Sequence, residues 1–148
     1  YMQTKVIHGI SMGAATALFS LANGLEKEVR AIVCDSGFMN IDPIFKRQAL
    51  KIFKAPSLLF IPGLSFWMKL KCGFTISQVN VFKQLHKIDR PLLLIHGTAD
   101  FFVPYTQSLH LHELFKETKL QLFKDSQHAC SVNDNRELYV QTLKEFLF

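Results

Sequence analysis

Thr4-Lys5-Val6-Ile7-His8-Gly9-Ile10-Ser11-Met12-Gly13-Ala14-Ala15-Thr16-Ala17-Leu18 organises the rest of the chain. Val6 and Ile7 are strand formers, an Ala-rich helical run begins within a few residues of them, and glycines flank Ser11 two positions away on each side. The pattern is a strand, a sharp turn and a helix, with serine at the turn. Glycine is expected at both flanks because such a turn brings neighbouring backbone too close for a β-carbon. Ser11 then projects its hydroxyl outward. The Met12 N–H, at the positive end of the helix, points to where an oxyanion would develop.

The same strand-then-loop unit recurs along the chain. Val29-Arg30-Ala31-Ile32-Val33-Cys34 reads as a buried strand ended by Asp35-Ser36-Gly37, and Arg90-Pro91-Leu92-Leu93-Leu94-Ile95-His96-Gly97 as another, ended by Thr98-Ala99-Asp100. Their continuous apolar character predicts parallel strands covered on both faces. Between strands come a small-residue helix closed by Asn23-Gly24 and a helix running from after Pro104 to about Phe115. A fourth strand over 119–123 leads to the Asp125-Ser126-Gln127-His128 loop, and an amphipathic helix over 135–148 offers Leu138, Val140, Leu143 and Phe146 to the core. The fold class expected is α/β, a mostly parallel sheet with flanking helices.

The rhythm breaks between about 42 and 88, which reads as a helical insertion. Ile41, Ile44, Phe45, Leu50 and Phe53 fall mainly on one helical face, Pro56 and Pro62 set off a second apolar piece over 58–70, Gly73 to Ser77 looks extended, and 79–85 reads as a short helix. The insertion is basic: Lys46, Arg47, Lys51, Lys54, Lys69, Lys71, Lys83 and Lys87 lie between 43 and 88 with no acidic residue among them. Its aromatic residues Phe45, Phe53, Phe60, Phe66 and Trp67 fit ordinary packing as well as an apolar pocket. The basic outer face would attract carboxylate-bearing substrates or an anionic membrane surface, so a peripheral membrane contact is one expectation.

At 148 residues and 49% hydrophobic content the chain can bury a core and reads as a single unit of residues 1–148. The net charge of +5 is concentrated in the insertion, which lacks Arg-dense or Gly-aromatic patterns, so nucleic acid is not an expected partner. Three cysteines without C-x-x-C spacing favour a reduced, cytoplasmic compartment. The longest apolar run, 55–68, holds two prolines and is too short to span a bilayer.

Ser11, Asp100 and His128 each follow a strand, and in a parallel sheet such loops emerge at one edge. Serine needs a histidine to take its proton, and the histidine needs an acid to fix its tautomer. Asp35 also follows a strand and competes with Asp100 for the acid's place. His8 and His96 read as packing or supporting residues, His86 as a surface residue, and His110 and His112, two apart on a helix, face different ways and make a poor metal pair. Cys130 reads as a packed thiol and Asp125 as a turn residue. Neither a metal nor an organic cofactor is called for.

Gly9-Ile10-Ser11-Met12-Gly13, His96-Gly97-Thr98-Ala99-Asp100 with Val103-Pro104, and His128-Ala129 together resemble the α/β-hydrolase superfamily, in its bacterial serine esterase/serine aminopeptidase-like branch. The resemblance runs from Lys5 to the C-terminus. It implies Ser11 as nucleophile, Asp100 as acid, His128 as base, a helical cap where the insertion falls, and a carboxylesterase acting on small to medium apolar acyl esters. Peptidase, thioesterase and acyltransferase chemistry would use the same residues. Family members also carry an N-terminal half with about four further strands and a loop supplying a second oxyanion donor. The chain is therefore expected to be the C-terminal part of a larger hydrolase, with that half as its partner and an apolar sheet edge at Val6. The alternative is a non-catalytic fragment or scaffold that keeps the three residues without turnover.

Overall fold

The computed structural model describes residues 5–22, 28–54 and 60–148, leaving out the side chains of 21, 22, 52, 53 and 84–86. Asn23-Gly24, Pro56 and the side chain of His86 lie outside the described residues. The chain divides into two compact units, Tyr1–Phe38 with Val81–Phe148, and Met39–Asn80.

The first unit is a four-stranded parallel sheet in the order β1 (Lys5–Ile10), β2 (Val29–Asp35), β3 (Leu92–Gly97) and β4 (Thr118–Phe123). The strands that read as continuous apolar runs are the central ones: every residue of β3 is buried, and every residue of β2 except Arg30. That follows from helices covering both faces. β1, at one end of the order, keeps Val6 and Ile10 exposed.

Helix α1 (Met12–Ala22) packs on β1 and β2 through Ala14, Ala15, Ala17 and Leu18, all buried. Its small residues let the backbones close up: a β-carbon on Gly9 would stand 2.5 Å from the Ala14 nitrogen. Helix α4 (Thr106–Leu114) packs on β3 and β4 with Leu111 fully buried. Alternate residues of the central strands, Val33, Leu93 and Ile95, join Phe123 and Tyr139 in one cluster, with Val132, Leu138, Leu143 and Phe146 packed around it. Removing a side chain such as Leu93 there would cost about 2–5 kcal/mol. Tyr139 belongs to the last helix, α6 (Arg136–Leu147), which follows the short helix α5 (Ser131–Asp134). Asn135 caps α6 by accepting the Leu138 N–H at 3.0 Å. Val140, expected to face the core, is exposed; Tyr139 takes that place.

The second unit holds α2 (Asp42–Phe53) and α3 (Ile61–Cys72). Pro43 and Pro62 sit in the first turn of each helix, where a missing N–H costs nothing, so Pro62 starts α3. On α2 Ile44 and Ala49 are buried, while Leu50 is exposed, contrary to its expected face. No residue of α3 is buried, and Phe66 and Trp67 are exposed. The 73–77 stretch is not extended. Gly73 ends α3 in the left-handed region (φ 81°), and Thr75 and Gln78 form a capping box around a 3-10 turn over Ile76–Gln78. A further 3-10 turn, Val81–Lys87, lies in the first unit. Among the described residues no helix is long and apolar enough to cross a membrane.

Candidate active site

Three strand ends converge. Ser11 occupies the single residue between β1 and α1 with φ 52°, a left-handed conformation strained for a residue with a β-carbon. Its amide donates to the Asp35 carbonyl at 2.8 Å, extending the β1–β2 ladder by one bond into the turn. Gly9 is required by the contact with Ala14, whereas a β-carbon on Gly13 would meet nothing within 4 Å. The expectation of crowding therefore holds at one flank only, because at Gly13 the chain is already helical and its Cα faces open space.

Ser11 Oγ lies 2.9 Å from His128 Nε2, and His128 Nδ1 lies 2.7 Å from Asp100 Oδ2. A carboxylate only accepts, so Nδ1 carries the proton and Nε2 is left to accept from the serine hydroxyl. Asp100 is buried, His128 partly so. The ring of Phe102 lies 5.1 Å from that of His128. Phe102 is exposed, as are Met12 and Phe101, the residues next in sequence to Ser11 and Asp100.

The Asp100 carboxyl is held on every side. Oδ1 accepts the N–H groups of Phe102 at 2.9 Å and Val103 at 2.8 Å. Oδ2 accepts from His128 and faces His96 Nε2 at 3.2 Å. His96 Nε2 also lies 3.0 Å from the Val103 carbonyl. Both partners only accept, which puts the His96 proton on Nε2; Nδ1, 2.7 Å from Ser108 Oγ, then accepts the serine proton. Burial is the largest single influence on Asp100 and pushes its pKa up. The hydrogen bonds from His96, His128 and Val103, with the charge of His128, together outweigh it and hold the carboxyl below its ordinary value.

The rival acid is used elsewhere. Asp35 accepts from Tyr139 Oη at 2.8 Å and Ser36 Oγ at 3.0 Å, and is fully buried. Burial, then the neighbouring Asp35, push Cys34 up to about 12 and raise Tyr139 as well. His8 Nε2 lies 2.9 Å from Tyr139 Oη. The other candidates stand apart: His110 is exposed beside Glu113, and His112 Nδ1 lies 2.7 Å from Thr118 Oγ1. Cys130 Sγ donates to the His128 carbonyl, and Asp125 sits in a turn at φ 57°. Ser36, Ser108 and Tyr139 escaped the sequence reading. A polar pair directly after a buried strand, as in Asp35-Ser36, is the signal that marks the first of them.

The profile of the prolyl oligopeptidase family matches residues 2–148. Uncharacterized protein YqkD of Bacillus subtilis (strain 168) is 30% identical over 142 residues, 95% of this chain and 47% of that protein. Uncharacterized protein YfhR of Escherichia coli (strain K12) is 29% identical over 147 residues, 98% of this chain and 45% of that protein. The chain thus spans about half the length of these relatives. Among solved structures, the Pyrococcus furiosus esterase Pf2001 superposes with a TM-score of 0.69 at 25% identity, covering 96% of this chain and 52% of that one. An acylaminoacyl peptidase, solved with Z-Gly-Gly-Phe-chloromethyl ketone, gives a TM-score of 0.69 at 21% identity, over 95% of this chain and 23% of that one, a likeness of fold. With a parallel sheet, flanking helices and these neighbours, the chain has an α/β-hydrolase fold and belongs to the prolyl oligopeptidase family.

Proposed function

We propose that the chain carries the acyl-transfer site of a serine hydrolase, most simply a carboxylesterase for small to medium apolar acyl esters. The observation that carries this reading is the continuous line from Ser11 Oγ through His128 to Asp100, at 2.9 and 2.7 Å. Ser11 Oγ bonds to the ester carbonyl carbon as His128 Nε2 takes its proton. The developing oxyanion is met by the Met12 N–H, which the first turn of α1 leaves without a helical partner. Asp100 keeps the imidazole in the required tautomer and stabilises the imidazolium. The tetrahedral adduct expels the alcohol, which receives the proton from His128. Water then repeats the sequence on the acyl-serine, its proton passing to His128 and back to Ser11.

The exposed apolar side chains of Met12, Phe101 and Phe102 support an apolar acyl group beside Ser11. The match to a peptidase family makes amide bonds the second substrate class, and the same residues would cleave them. Hydrolysis of p-nitrophenyl esters of increasing acyl length, run beside the corresponding anilides, tests the reading. Ester turnover abolished by Ser11→Ala is expected; turnover undiminished in Ser11→Ala would refute it.

A further inference from the structure

The end of β2 holds both partners of the proposed proton transfer. The Asp35 carbonyl accepts the Ser11 amide at 2.8 Å. The next residue, Ser36, is fully buried and takes the Ala129 N–H on its Oγ at 3.0 Å, across 93 positions of sequence. Ala129 directly follows His128 and stands at φ 57°, while Ser36 stands at φ 50°. Two strained residues thus meet through one hydrogen bond.

Ser36 is itself fixed from two sides. Its amide donates to the Ile95 carbonyl of β3 at 2.9 Å, and its hydroxyl proton goes to Asp35 Oδ1 at 3.0 Å. With the proton so committed, an Oγ lone pair is left facing the Ala129 N–H. Asp35 Oδ2 is occupied by Tyr139 Oη, which keeps the carboxyl from turning away. The chain of bonds runs from the floor of the sheet to the backbone of the His128 loop.

We infer that Ser36 is a positioning residue: through its bond to the Ala129 amide it fixes the His128 loop relative to the strand end that fixes Ser11. The inference rests on the reading of Ser11 and His128 as nucleophile and base. Without the Ser36 hydroxyl, the Ala129 N–H has no partner on the sheet and nothing at this point offsets the left-handed conformation. The loop can then drift, and displacement of a reacting group by about 1 Å is enough to cost up to about a hundredfold in rate.

Ser36→Gly is the variant of choice, because glycine suits φ 50° and removes only the hydroxymethyl group. Two readouts are taken. One is kcat and KM for an ester, with kcat expressed per site titrated by a fluorophosphonate. The other is the downfield proton resonance of His128 Nδ1–H, identified by its absence in His128→Gln. The expected result is a kcat lower by roughly ten- to a hundredfold with KM within about twofold, and a broadened or lost resonance. Leu143→Ala, a stability change in α6 away from the loop, is expected to leave both readouts unchanged. Tyr139→Phe, which frees Asp35 Oδ2, should shift both in the same direction as Ser36→Gly but less. An unaltered resonance and kcat in Ser36→Gly would overturn the inference while leaving the proposed function intact. Turnover that survives Ser11→Ala would overturn the function instead, and the resonance would still decide whether Ser36 holds the loop.

Discussion

His96 and Asp100 meet at 3.2 Å with both side chains completely buried, so the carboxyl that orients His128 is itself oriented by a second imidazole. The tautomer forced by the Val103 carbonyl makes His96 a donor here, and Ser108 fills its other nitrogen. His96→Leu keeps much of the volume and cannot donate. It leaves Asp100 Oδ2 and the Val103 carbonyl each short of one donor, a loss of about 1–3 kcal/mol. Urea denaturation should show that loss, together with a lower kcat.

Asp100→Asn is expected to do more harm than loss of a charge alone. The Phe102 and Val103 amides require an oxygen at their position, which turns the new amide nitrogen toward His96 Nε2–H and His128 Nδ1–H, donor against donor. His128 is pushed to the wrong tautomer. Ester kcat should fall by about 10³–10⁴-fold, measured on protein shown to be folded by circular dichroism.

The lowered pKa of Asp100 also sets an acid sensitivity. A carboxyl whose folded value lies below its unfolded value, about 3.9, contributes stability that is fully present above that value. The contribution is lost as pH falls from there through the folded value. Unfolding free energy measured from pH 6 downward should decline in that window, and the decline should be shallower in Asp100→Asn.

The two glycines around Ser11 are expected to behave oppositely. Gly9→Ala drives a methyl to 2.5 Å from the Ala14 nitrogen, backbone against backbone, and should cost about 1–3 kcal/mol or more. Gly13→Ala meets open space within a helix and should raise stability by up to about 1 kcal/mol. Thermal unfolding of both variants checks the contrast.

Those glycines also mark how far the sequence could be read. The turn at Ser11, the two buried strands and the Asp100 and His128 loops carried local signals, namely apolar runs closed by short polar loops. The candidate site was legible because a parallel sheet sends every such loop to one edge. Asp35 and Asp100 could not be told apart on that ground, since both end a strand. In the structure Asp100 is the one bonded to His128, and Asp35 is occupied by Tyr139 from 104 positions away. Helix faces were legible only coarsely: at 3.6 residues per turn Leu50 falls on the side of α2 away from the buried Ile44 and Ala49, and Val140 falls outside the stripe of Leu138, Tyr139, Leu143 and Phe146 on α6. Gly73 to Ser77 looked extended from its β-branched and aromatic members, but a left-handed glycine and a capping box, both local hydrogen-bond effects, override that propensity.

A Ser11 nucleophile activated by His128 can be trapped by covalent labelling. The protein would be treated with a fluorophosphonate, digested, and the adduct mapped by mass spectrometry. A stoichiometric adduct on Ser11 is expected, lost in Ser11→Ala and formed far more slowly in His128→Gln. An adduct confined to another residue, or labelling of Ser11 at an undiminished rate in His128→Gln, would contradict it.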